Sequence, residues 1–302
     1  MKKVVVIIST YNGEKTITRQ LDSIFNQVDV SVEVLIRDDN STDSTVDTIK
    51  KYIEVNPQCK IHIIEGNNVG FAKSFWLALK RSGDADYFAF SDQDDVWKSD
   101  KLIQCIKAMR SEENVPQLSY CKMQRSDIHL NRLSDQIKIV KPDDLTKKIA
   151  LTTTYNYGAA TVINRCAKEL VCRTWPKADN VPHDLWIGCL CYWFGYIHFV
   201  DKELYYWIRY ENSVTGEGTK KSGIMYRLRE TLRKKSYPNF SYTILSNYHD
   251  LLSKDDYIYL QRIANYKHNL LDKLYLLCDF GFKRLNPLGT ISLKIGILFN
   301  WF

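Results

Sequence analysis

The chain has 302 residues, with 42 Lys/Arg against 35 Asp/Glu, enough to bury a full core as one large domain or a domain with an appendage. Its +7 charge is unevenly placed: residues 219–302 carry 14 basic and 6 acidic side chains, and residues 1–218 carry 28 and 29. A near-neutral body argues against general nucleic-acid binding, and a basic tail suits an anionic surface. The eight cysteines are scattered without a CxxC pair, so neither zinc nor a disulfide framework is expected and buried reduced thiols fit a cytoplasmic setting. MKKVVVIISTYN has too short an apolar run for a signal peptide, and no stretch reaches the roughly 18–20 apolar residues of a spanning helix.

Val4–Ile8 is a β-branched run and predicts the first strand; Ile17, Leu21, Ile24, Phe25 and Val28 then recur at helical spacing. Val32–Ile36 predicts a second strand, with Val46, Ile49 and Ile53 on the face of the helix after it. Ile61–Ile64 predicts a third strand, GNNVG a loop, Phe71–Leu79 a third helix and Tyr87–Phe90 a fourth strand. A helix is expected from Lys101 to Arg110 with Asp100 as its cap. Strands are expected at Leu118–Cys121, Thr161–Ile163 and Tyr196–Val200, loop over Ser126–Leu145, and a helix from Asp184 to Phe194. From Gly223 onward the pattern is helical. Strands alternating with helices on short loops imply right-handed crossovers and an α/β fold with a mainly parallel, Rossmann-like sheet flanked by helices. Ligands of such sheets bind beyond the carboxyl ends of the strands.

Three polar clusters fall at those ends: STYN (Ser9–Asn12), RDDNSTD (Arg37–Asp43) and SDQDD (Ser91–Asp95). An acid cluster after a strand reads as a solvated loop, a helix cap or a metal site. With Asp100 placed to cap the next helix, Asp92-Gln93-Asp94 is left with two hard oxygen ligands on one side of an extended segment. That suits Mg²⁺ or Mn²⁺ shared with phosphate oxygens.

The stretches VVIISTYNGEKTITRQLDSIFNQ, VLIRDDNSTDSTVDTI, NNVGFAKSFWLAL and YFAFSDQDDVWKSDKL, in that order and spacing, resemble the family 2 inverting glycosyltransferases over roughly residues 1–215. The resemblance implies a GT-A fold, a nucleotide-sugar donor and a divalent cation, Mg²⁺ or Mn²⁺. It implies a catalytic domain at 1–218, with a nucleotide-sugar half (1–110) and an acceptor half (111–218), and a basic helical appendage at 219–302. Ser9 and Tyr11 would line the nucleotide, Tyr11 against the base. Asp39, or Asp38 beside it, would accept from the pyrimidine N3–H or the ribose, a charged acceptor making the stronger bond. Lys73 would lie near the diphosphate. Asp94 would be the direct metal ligand, with Asp92 at the ribose or a metal-bound water and Asp95 as a third metal candidate. Asp184, in VPHDLWIGCLCYWFG, would be the catalytic base, while His183 reads as structural. Relatives carry a His where this chain has Tyr210, which leaves Arg209 for the diphosphate.

SDQDDVW followed by an acid-Lys-Leu resembles the members associated with rhamnosyl transfer in bacterial polysaccharide assembly. It implies dTDP-L-rhamnose as donor, with UDP-glucose, UDP-galactose or a UDP-N-acetylhexosamine as the alternative. Nucleotidyltransferases also combine strand-end acids, metal and nucleotide, but usually open with a Gly-rich phosphate loop, and STYNGEK has one glycine. The ending LGTISLKIGILFNWF and the basic groups Lys220–Lys221, Arg227–Lys235 and Lys283–Arg284 suit a peripheral helix on an anionic inner leaflet, or one packed on the body. Membrane contact would fit a polyprenyl-diphosphate-linked glycan acceptor.

Overall fold

The computed structural model describes residues 1–133, 139–176, 181–209 and 238–302. In chain order the elements are β1 (Lys2–Thr10), α1 (Ile17–Phe25), β2 (Val30–Asp38), α2 (Thr45–Val55), β3 (Ile61–Glu65), α3 (Phe71–Arg81), β4 (Tyr87–Ser91), β5 (Val96–Trp97), α4 (Lys101–Lys107) and β6 (Gln117–Ser126). Then come α5 (Lys147–Ala150), β7 (Thr161–Asn164), α6 (Arg165–Cys172), α7 (His183–Phe194) and β8 (Tyr196–Ile208), followed by α8 (Ser241–Asn247), α9 (Lys254–Asn265), α10 (Leu270–Cys278) and α11 (Pro287–Leu298).

The first compact unit comprises residues 1–142, 155–172 and 182–213. It holds one eight-stranded sheet in the order β3-β2-β1-β4-β7-β6-β8-β5. The first four strands are parallel, as expected, and β6 runs parallel to β8; β7 runs antiparallel to both neighbours and β5 antiparallel to β8, so short antiparallel pairings are mixed into a mainly parallel sheet. Val4 to Ile8 are almost wholly buried, the pattern of a strand covered on both faces. The register sets Ser9 beside Arg37 and Ile8 beside Ser91, which brings the three polar clusters to one rim.

Several boundaries differ from the expectation. α1 stops at Phe25 and leaves Val28 exposed, and α4 ends at Lys107 rather than Arg110. β8 continues past Val200 to Ile208: the run Asp201-Lys202-Glu203 looks like a turn, but Asp201, Lys202 and Leu204 bulge out of β8 opposite Cys121–Lys122–Met123 of β6, and the pairing carries onward. β5 and α6 were not foreseen. Two strand residues are too few for a periodic signal, and α6 offers little more than Ala167, Leu170 and Val171.

The second unit comprises residues 143–154, 173–181 and 214–302, and its described elements are helical. The expected boundary at 218/219 lies outside the described residues, as do Lys220–Lys221 and Arg227–Lys235. Two earlier segments belong with this unit: Lys147 and Lys148 pair with Asp256 and Asp279, and Arg173 with Asp250. Ser253, Asn269 and Asn286 cap α9, α10 and α11 through their side chains, with Pro287 opening α11. The chain end is packed. Leu293, Ile297 and Phe302 are buried, Phe302 lies 5.5 Å from the Phe282 ring, and its carbonyl accepts from the Tyr266 hydroxyl at 2.6 Å.

Candidate active site

The buried face of α1 and the turn after it carry polar as well as apolar groups. Gln20 donates to the Ser91 hydroxyl, Ser23 Oγ accepts from the Trp97 amide at 3.0 Å, and Gln27 Oε1 accepts from the Leu102 amide at 2.9 Å. This ladder fixes the acid segment between β4 and α4. Gln93, between the two expected ligands, then pins it to the first loop: the Tyr11 amide donates to Gln93 Oε1 at 2.9 Å and Gln93 Nε2 donates to the Tyr11 carbonyl at 3.0 Å. A Cβ on Gly13 would stand 2.4 Å from the same Oε1, so glycine lets the loops meet. The first and second loops are joined by Asn12, which has φ 51° and accepts from the Thr42 amide at 2.8 Å. A cleft of about 460 Å³ opens here, lined by Asn12, Glu14, Lys15, Gln93 and Asp94 among others. Tyr11 is 49% exposed beside it.

The acids of the third cluster divide. Asp92 and Asp94 are half-buried, whereas Asp95 is 1% exposed. Burial raises the Asp94 carboxyl; its own amide, then Arg209 and Arg19, pull it back. Burial, then the charges of Asp94 and Asp184, push Asp92 up to about 7. Asp95 is held well above the usual carboxylate range by burial and by its two neighbours, with Lys101 and the Ile208 backbone pulling it back. Lys101 shares its pocket. It is fully buried, with Nζ 3.2 Å from the Trp97 ring centroid and no hydrogen-bond acceptor among the described residues, and burial pushes it down to about 8. Asp100 occupies the cap position of α4 without a side-chain cap bond.

Asp184 sits in the first turn of α7. Burial pushes its carboxyl up to about 6 against the backbone amides of Leu185 and Gly158. His183 beside it is buried, stacks on Phe75 at 4.2 Å and is pushed by burial down to about 3; it is structural. Arg209, just past β8, lies with its guanidinium 4.5 Å from the Trp207 ring and its field on Asp94. Tyr210 and Glu211 lie outside the described residues.

Asp38 and Asp39 sit in an internal network. Both are buried with internal donors: Asp38 takes the Thr10 hydroxyl and the Ser41 amide and hydroxyl, and Asp39 takes Arg37 and the amides of Val69 and Gly70 at 2.9 Å. Three bonds leave each carboxylate about one of its four acceptor sites, so these acids position the loops with little capacity left for a base or ribose. Ser9 donates to Ser74 at 2.7 Å in the same network, and Lys73 is exposed in the first turn of α3. Gln93, Arg19 and Lys101 were missed. Their roles arise from loops meeting across the fold, which no local pattern marks.

Among the described residues no group of three His, Cys, Asp or Glu forms a ready metal site. Two half-buried carboxylates beside a polar cleft still fit Mg²⁺ or Mn²⁺, which take one or two protein carboxylates and complete their shell with water and substrate phosphate. Asp94 and Asp92 have that exposure; Asp95 does not.

A parallel four-strand half with an acid-lined rim, extended by antiparallel pairings and by α7, whose first turn carries a further acid, is the GT-A architecture. The chain belongs to glycosyl transferase family 2, whose sequence profile matches residues 5–170. It is 38% identical over 106 residues to the dTDP-rhamnosyl transferase RfbG of Shigella flexneri, covering 34% of this chain and 36% of that one. To WfaP of Escherichia coli, a UDP-Glc:alpha-D-GlcNAc-diphosphoundecaprenol beta-1,3-glucosyltransferase, it is 32% identical over 37% of this chain and 43% of the other. The matches thus span about a third to two fifths of these relatives. The fold is similar to that of S. aureus TarS 1-349 in complex with UDP-GlcNAc, with TM-score 0.57 and 18% identity over 99% of this chain and 80% of that one.

Proposed function

We propose that this chain transfers one sugar, with inversion, from a nucleoside diphosphate donor to a polyprenyl-diphosphate-linked glycan of bacterial surface polysaccharide at the cytoplasmic face of the membrane. The observation that carries this reading is the pairing of Asp184 with the Asp92–Asp94 rim. The charge of Asp184 acts on Asp92, and Asp94 is faced by Arg209 and Arg19. Asp184 takes the proton of the acceptor hydroxyl as that oxygen attacks the anomeric carbon from the side opposite the diphosphate. Arg209 offsets the charge gathering on the leaving diphosphate, and Lys73 is exposed for the same task. The Tyr11 ring stacks on the base, with Ser9 behind it. Asp94 with Asp92 would hold Mg²⁺ or Mn²⁺, which when bound would supply the remaining neutralisation of the leaving group.

The favoured donor is dTDP-L-rhamnose, supported by the SDQDDVW wording and by the Shigella relative. A UDP-hexose or UDP-N-acetylhexosamine is the second reading, supported by the Escherichia coli relative and by the UDP-GlcNAc complex of the fold neighbour. The test is a screen of dTDP-, UDP- and GDP-sugars against lipid-linked acceptors with and without chelator. Sugar transfer with release of nucleoside diphosphate is expected, abolished by chelator. Release of pyrophosphate from nucleoside triphosphates would place the chain among nucleotidyltransferases instead.

A further inference from the structure

Surface helices ordinarily turn a polar face outward. α10 reverses this. Leu271, Leu274, Tyr275 and Cys278 share one stripe at helical spacing and all are exposed, Leu271 to 74%, while the inward positions include Asp272 and Leu276. α11 does the same: Leu293 and Ile297 face its own unit, and Ile291, Leu298 and Phe299 are exposed. The two helices lie side by side and antiparallel, since Lys294 Nζ donates to the carbonyls of Leu276 and Asp279, and Lys273 Nζ to that of Leu298. Phe280, where the chain leaves α10, is 92% exposed.

We propose that this doubled apolar stripe is a docking surface for a phospholipid bilayer with anionic headgroups, α10 and α11 lying in the plane of its interface. The inference rests on the reading of a lipid-linked acceptor and names the surface that would bring the chain to it. Charge selects the occupant. Lys267 and Lys283 are exposed just before α10 and just after Phe280, within a tail of 14 basic and 6 acidic residues. In a two-fold dimer a patch meets its own copy, so cations flanking the stripe would be brought towards their own kind. Anionic headgroups answer both the lysines and the leucines. Length sets the depth: α11 has 12 residues, roughly 18 Å of helix, against a hydrocarbon core of about 30 Å.

The test uses the full chain and sedimented vesicles, either phosphatidylcholine alone or with about a third phosphatidylglycerol, the anionic component. The parent pellets with the anionic vesicles, and less so as salt rises. Leu271→Glu with Leu274→Glu lowers the bound fraction about tenfold or more, and Ile291→Glu acts in the same direction. Val55→Glu, at an exposed apolar position of α2 in the other unit, changes nothing. These residues are exposed, so circular dichroism and Tm stay at parent values, as does transfer to a soluble acceptor. Parent protein that ignores anionic vesicles, or a double variant that pellets like the parent, overturns the proposal. So does a parent dimer that Leu274→Glu dissociates without any vesicle binding, which would make the stripe an interface between copies. Failure of the parent to transfer sugar in solution overturns the enzymatic reading instead, and pelleting still decides the docking surface.

Discussion

Asp184 carries the sharpest expectation because a base and a helix cap leave different marks. With its carboxyl pushed up to about 6, Asp184 is ionised at neutral pH and protonated below that value, where it has no lone pair for the acceptor proton. Transfer should therefore rise through about pH 6 and level off above it, and Asp184→Asn should remove the limb. That variant should bind nucleotide as the parent does and lose about 10²–10⁴ in transfer rate. Near-parent turnover in a folded Asn variant would reduce Asp184 to a helix-start residue. Gln93 calls for a different measurement. Gln93→Ala breaks both bonds to the Tyr11 backbone, worth about 0.5–1.5 kcal/mol each, so it should raise the KM for donor more than it lowers kcat. The two residues also differ in how visible they are in sequence. An acid opening an apolar helix stands out, whereas a glutamine between two aspartates reads as a spacer until the loop 82 positions away is seen against it.

At the scale of elements, the pieces that declare themselves are those with a full period of apolar residues. β1 to β4 and α1 to α3 fall close to their expected places because each sheet-facing or core-facing position repeats several times. What escapes is either too short, like β5, or interrupted by charge at a bulge, like the second half of β8. The start of α4 was legible but its character was not. Lys101 reads as a solvated first-turn cation, yet it is enclosed by Trp97, Tyr205 and Asp95. Burial holds its amine near 8 against an ordinary 10.5, so the folded chain releases this proton earlier than the unfolded one. The sign follows: from about pH 8 to 10.5 the unfolded state binds more protons, and stability contributed at this site rises with pH. The rise is bounded at roughly 3 kcal/mol by the size of the shift. In Lys101→Met, denaturant unfolding at pH 8 and pH 10 should show the rise missing relative to the parent. An equal rise in both would assign it to other groups. Asp39 is the corresponding anchor for the loop before α3. Asp39→Ala strands Arg37, which is 4% exposed, and should cost about 3–5 kcal/mol in the same measurement.

For the whole molecule, sequence conveyed a near-neutral catalytic part and a basic helical tail, but not which segments belong to which. Residues 143–154 and 173–181 join the C-terminal unit through pairings such as Lys148–Asp279 and Arg173–Asp250, between residues far apart in the chain. The same packing makes the last fifteen residues part of a core, so deleting Leu288–Phe302 should unfold that unit rather than trim a surface helix. The unliganded fold also carries a pH dependence set by its acid rim. Asp92 and Asp184 have folded values of about 7 and 6, above the ordinary 3.8. Their contribution is therefore fully present below about pH 4 and lost as pH rises through 6 and 7, opposite to an ion-paired carboxylate. Above pH 7 the rim holds like charges that Arg209, Arg19 and Lys101 offset in part and that a bound cation would relieve further. Adding Mn²⁺ with nucleoside diphosphate should accordingly raise Tm, by mass action as ligand exceeds its Kd, and more at pH 7.5 than at pH 5.5, where protonated acids bind a cation poorly. Asp94→Asn should keep the nucleotide-only shift and lose the Mn²⁺-dependent increment. An increment that survives in Asp94→Asn, or that is larger at the acid pH, would remove the cation from this rim.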